Sequence, residues 1–127
     1  MSSFIPREIS DKEKGILQRM LSAGIPHSEE ILEQIEGVSV AVLDNFGSLR
    51  FLTEDRNRLN LPDGPIINAL QVDQETESDF GPYVNYIIFV KDGRVCELQI
   101  YKDDDSPITS MLDASKIISV FPGKHSL

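Results

Sequence analysis

Cysteine occurs once and tryptophan not at all in these 127 residues. One thiol cannot close an internal disulfide, so packing alone must hold the fold, which suits a reducing cytoplasm. No apolar run approaches the roughly 18 residues that a membrane-spanning helix needs. Residues 1–25 lack a basic stretch followed by an apolar one, so no secretory leader and no membrane partner are expected. Positive charge is also scarce: 12 Lys and Arg stand against 21 Asp and Glu, a net charge of −9. Residues 1–65 hold 11 acids and 7 bases, and residues 66–127 hold 10 and 5, so the imbalance is spread and not a tail. That field opposes a nucleic acid backbone or anionic lipid and favours a basic protein partner. Its plainer use is solubility. Nucleophile elbow, phosphate loop, dinucleotide fingerprint and H-E-x-x-H are all missing, so no cofactor is expected.

What is present centres on residues 83–102, YVNYIIFVKDGRVCELQIYK. Two runs rich in Val, Ile, Phe and Tyr flank Asp92-Gly93, a type I′ hairpin signal. A two-residue loop there pairs Lys91 with Arg94, Val90 with Val95, and Phe89 with Cys96. Further out it pairs Ile87 with Leu98, Tyr86 with Gln99, and Val84 with Tyr101. Alternation then predicts one oily face of Ile87, Phe89, Cys96, Leu98 and Ile100. The opposite, mixed face carries Val84, Tyr86, Ile88, Val90, Val95, Glu97, Gln99 and Tyr101. The oily side is expected to lie under helices and the tyrosine-bearing side to be free.

A chain of this length buries about two-thirds of its unfolded surface, enough for one core. Residues 9–24 predict a helix: Ser10 and Glu13 form a capping box, and Ile16, Leu17, Met20 and Leu21 make one stripe. Gly24 is the expected left-handed stop, and Gly15 costs roughly 1 kcal/mol relative to Ala. Ser28 is the expected cap of a second short helix with Ile31, Leu32 and Ile35 buried and Gly37 as its end. From Val38 the period becomes two, giving a strand to Leu43 and a partner at residues 49–53. Residues 54–65 are polar and turn-rich, residues 66–73 form a third strand, and residues 74–82 read as a mobile acidic loop. The run Ile117, Ile118, Val120, Phe121 fits either a strand or a helical turn. These elements predict a single α+β domain over residues 1–127. Its N-terminal helical hairpin packs on one face of an antiparallel meander of about five strands.

The tightest acidic cluster is Asp103, Asp104 and Asp105, with Glu97 and Gln99 on the strand before it. A hard cation needs six to eight oxygens in set geometry, and the spaced EF-hand pattern is missing, so a solvated strand end is the better reading and no metal site is assigned. Cys96 on the oily face reads as an inert core thiol. His27 and His125 have no ligand or nucleophile at useful spacing. Tyr83, Tyr86 and Tyr101 lack the Lys or Arg of a base-stacking platform.

Three stretches carry a resemblance. PREISDKEKGILQRMLS from Pro6, GSLRF from Gly47, and CELQIYKDDDSPI from Cys96 resemble elements of a family of small uncharacterised bacterial proteins, a domain of unknown function. Here Gln99 stands where an acid is usual and Tyr101 where Trp is common. Proteins of this style beside toxin genes imply, by analogy, an immunity-protein or antitoxin-like binder. The reading is therefore a non-catalytic protein-binding module. Its expected partner surface comprises Tyr86, Ile88, Glu97, Gln99, Tyr101, Asp103, Asp104 and Asp105. A homodimer joined through the mixed face is the second reading. A metal-dependent hydrolase using Glu97 and Asp103 to Asp105 is the third.

Overall fold

Ser10 starts the first helix as its side-chain pattern demands. In the computed structural model, which describes residues 5–73, 82–103, 108 and 112–123, Glu13 N–H donates to Ser10 Oγ (3.2 Å) and Ser10 N–H to Glu13 Oε1 (2.9 Å). Burial would push the Glu13 carboxyl up, but Arg7, bonded at 2.7 and 2.8 Å, and Ser10 hold it below its ordinary range. Helix α1 (Asp11–Leu21) buries the expected stripe Ile16, Leu17, Met20 and Leu21. A Cβ placed on Gly15 would sit 3.7 Å from Ala114 Cβ, an ordinary contact, so sterics do not require glycine there. Helix α2 (Ser28–Ile35) differs from expectation at its start. His27, in the left-handed region at φ 71°, is the capping position, and Ser28 lies inside the helix with its Oγ donating to Ile25 O (2.7 Å). A backward bond from Ser28 replaces the forward cap.

Seven strands are described, not about five: β1 (Arg7–Glu8), β2 (Ser39–Val42), β3 (Leu49–Phe51), β4 (Gly64–Val72), β5 (Tyr83–Lys91), β6 (Arg94–Lys102) and β7 (Ile117–Pro122). They form one antiparallel sheet in the order β1-β2-β3-β6-β5-β4-β7. The consecutive run β4-β5-β6 is a meander, but β6 closes on β3 and β7 crosses to the far side of β4. The undecided C-terminal run is thus a strand. Two-residue β1 is too short for any periodic signal.

The turn at Asp92 (φ 52°) and Gly93 (φ 73°) has both positive angles that type I′ needs. Beyond it, the register departs from the sequence reading. Val90 pairs with Val95, but Phe89 then pairs with Glu97, Ile88 with Leu98, and Tyr86 with Ile100. Cys96 is the extra residue of a β-bulge, and both Cys96 and Glu97 fall on the partly exposed side. The bulge rotates the phase of β6 by one residue, so the predicted oily face does not exist as a unit. Val84, Tyr86, Ile88 and Val90 lie fully buried with Leu98 and Ile100, in one core with Ile16, Leu17, Met20, Ile31 and Ile35. Ile87 and Phe89 point the other way. Leu98 stays inside as expected, whereas Cys96 does not join the core.

The polar loop between β3 and β4 closes over the hairpin tip. Leu59 N–H donates to Gly93 O (2.7 Å), Asp92 N–H to Asp63 Oδ1 (2.9 Å), and Arg94 Nε to Arg56 O (2.8 Å). Gln34, buried on α2, ties all three parts: its Nε2 donates to Gly93 O and Asn57 O, and its Oε1 accepts from Val95 N–H (2.7 Å). Any side chain on Gly93 would run into the Leu59 backbone.

Candidate protein-docking face

Residues opposite one another in the ladders share a face, so the register lays out the outer side of the sheet as three rungs. One runs Arg50, Glu97, Phe89, Pro65. The next runs Gln99, Ile87, Asn68, Phe121, and the third Tyr101, Asn85, Leu70, Ser119. Apart from exposed Arg50, all of these are partly exposed, and no described helix packs on them. Large apolar groups (Phe89, Ile87, Phe121, Leu70, Tyr101) therefore alternate with amides and charges across five strands.

The expected partner surface is split by this arrangement. Glu97, Gln99 and Tyr101 stand together on the outer face, one per rung. Tyr86 and Ile88 are 0 % exposed, on the side of β5 that faces the core, and cannot touch a partner. Asp103 sits at the lower margin, where its carboxylate accepts from Asn85 Nδ2 (2.6 Å) and from Tyr83 N–H (3.2 Å). Asp104 and Asp105 lie outside the described residues. The sequence reading missed Ile87, Phe89, Leu70, Asn85, Asn68 and Phe121. A signal existed for the hairpin members: in β6 the apolar spacing is three from Val95 to Leu98 and two from Leu98 to Ile100, the mark of an inserted residue.

Behind the sheet's lower end the buried polar groups are already matched. Lys102 Nζ lies 2.8 Å from Asp73 Oδ2, with the Asp73 side chain 0 % and the Lys102 side chain 10 % exposed. Tyr86 Oη donates to Gln71 Oε1 (2.6 Å), which also accepts from Asp113 N–H (3.2 Å). Burial first, and then the charge of Asp113, push the Tyr86 phenol far up, so it stays a donor.

Glu97 is different. Desolvation first, then the like charge of Asp44, raise its carboxyl above the ordinary range. Cys96, beside it, is raised by the same two kinds of cause, burial and then the charge of Glu97, which keeps the thiol protonated. Between α1 and α2 a groove of about 360 Å³ is floored by Ile9, Leu17, Leu32 and Ile35. It gathers no nucleophile with a base. Among the described residues no group of three or more His, Cys, Asp or Glu could hold a metal ion. Nor is any helix among them long and apolar enough to cross a membrane.

A family model for a domain of unknown function, DUF6984, matches residues 6–112. The chain belongs to that family. The DUF6984 match takes in both helices and strands β1 to β6, and so most of the outer face; Phe121 and Ser119, on β7, lie beyond it. No curated protein matches the chain. No solved structure matches it either.

Proposed function

We propose that this chain is a non-catalytic protein-binding module, antitoxin-like in style, that docks a partner on the outer face of its sheet. One observation carries the reading: five large apolar side chains on adjacent strands, interleaved with Asn68, Asn85, Gln99 and Glu97, with no described element over them. An antiparallel sheet with one solvated face usually shows a polar alternation there. A contiguous mixed face of aromatic and amide groups instead has the make-up of a protein interface, whose core favours aromatics over charges.

The test places a photo-crosslinking amino acid at Gln99, and for comparison at Arg19 on α1 and Glu33 on α2, in the native host. The module reading expects a discrete protein adduct from Gln99 and none from the two helix positions. Adducts from the helix positions alone would refute it. A product that is only a dimer of this chain would favour the homodimer in its place.

A further inference from the structure

The apolar rungs of the outer face enclose a carboxylate that no described residue neutralises. Glu97 lies between Phe89 on β5 and Arg50 on β3. Although Arg50 is directly opposite, the two form no ion pair, and the Glu97 carboxylate has no hydrogen bond to any described residue. Its charged neighbour Asp44 has the same sign, and Asp44 Oδ1 is occupied by the N–H groups of Phe46 (2.9 Å) and Ser48 (3.1 Å). Asp103, the other acid of this face, is satisfied by Asn85 and Tyr83. Of these two described acids, Glu97 is the one without a hydrogen bond or ion pair.

Any occupant that covers Phe89 and Ile87 also strips the remaining water from Glu97. Covering it with hydrocarbon would leave a buried, unpaired charge, which is strongly unfavourable. An occupant bringing a guanidinium or ammonium group turns that penalty into a charge-assisted hydrogen bond. The net charge of −9 draws a basic segment toward the face and repels a second copy of this chain.

We infer that the outer face recognises a basic protein segment that sets a Lys or Arg side chain against Glu97 while its apolar residues cover Phe89 and Ile87. This rests on the docking-face reading and names the chemistry of the partner. Glu97 is then the specificity determinant, and the flanking apolar groups supply area.

The test titrates short peptides of alternating Leu-Lys, Leu-Ser and Leu-Glu into the isotopically labelled full chain, followed by amide NMR. The Leu-Lys peptide should move the signals of Phe89, Glu97, Gln99 and Asn85, and Glu97→Gln should weaken it about tenfold. Asp55→Asn, an exposed acid elsewhere, should leave its affinity unchanged, and the Leu-Glu peptide should not bind. Shifts centred on Glu29 and Glu30 in place of the outer face would refute the inference, as general attraction of opposite charges. So would Leu-Ser binding as well as Leu-Lys with Glu97→Gln indifferent, yet the docking-face reading would survive that result. Failure of every peptide together with no crosslink from Gln99 would remove both. Sedimentation showing a dimer that Arg50→Ala dissolves would replace the basic segment with a second copy whose Arg50 meets Glu97.

Discussion

Ile87 and Ile88 are adjacent on β5 and differ in everything that follows from which way they point. Ile88 is sealed beneath the helices with Tyr86 and Val84, where even the polar groups (Gln71, Asp73, Lys102) have partners. Ile87 stands on a face where the apolar groups are partly wet and the Glu97 carboxylate has no partner among the described residues. The contrast separates what makes the fold from what the fold presents. The inner side is packed and hydrogen-bonded within the chain, and the outer side is where the proposed partner would dock.

That contrast can be broken most severely at Lys102. Lys102→Met removes the cation 2.8 Å from a fully buried Asp73 carboxylate, so we expect a loss of about 3–5 kcal/mol in denaturant unfolding. Adding Asp73→Leu to it should restore much of that loss, because the buried carboxylate is then removed along with its cation. Next comes the isoleucine pair itself. Ile88→Ala should cost about 2–5 kcal/mol by opening a cavity in the core, while Ile87→Ala should cost about 1 kcal/mol or less. Equal costs would mean that the two faces are not distinct. A smaller effect, of opposite sign, is expected at Gly15, where the modest space beside Ala114 admits a methyl group. Gly15→Ala should stabilise the chain by about 0.5–1 kcal/mol, read from the same unfolding curves.

The finest test is a pH dependence. Folding raises the Glu97 carboxyl above its unfolded value, first through desolvation and then through Asp44. The folded state therefore holds this proton more tightly than the unfolded chain. Stability from this group is fully present below the ordinary Glu value of about 4.3 and is lost as pH rises through the higher folded value. Glu97→Gln should accordingly be slightly more stable than the native chain at neutral pH and indistinguishable from it at acid pH. A difference that grows toward acid would reverse the sign and refute the desolvation of Glu97.

The stripe of the first helix and the hairpin turn were legible in the sequence, because caps and turn residues each have a local cause, whereas Leu32, expected inside, is exposed. Ser10 with Glu13 fixed the first helix, and Asp92 with Gly93 fixed the turn. Neither face of the hairpin was legible, because one residue, Cys96, sets the register of the ladder. Both registers of the hairpin bury apolar residues on β5, which has Ile, Phe, Tyr or Val at almost every position, so alternation alone could not choose between them. β6 held the answer in the slipped spacing of Val95 against Leu98 and Ile100. The cap of the second helix failed for a related reason: Ser28 can bond backward to Ile25 as readily as forward, and composition does not say which. The pairing of Gln34 with the hairpin tip joins residues about sixty positions apart, beyond the reach of any local pattern.

Solvent paramagnetic NMR on the unmodified chain bears most directly on the two-sided hairpin. A soluble paramagnetic agent should broaden the side-chain signals of Ile87, Phe89 and Leu70 and leave Val84, Tyr86 and Ile88 sharp. Broadened Tyr86 and Ile88 beside protected Ile87 and Phe89 would mean an unbulged ribbon turned the other way, and the proposed docking face would not exist.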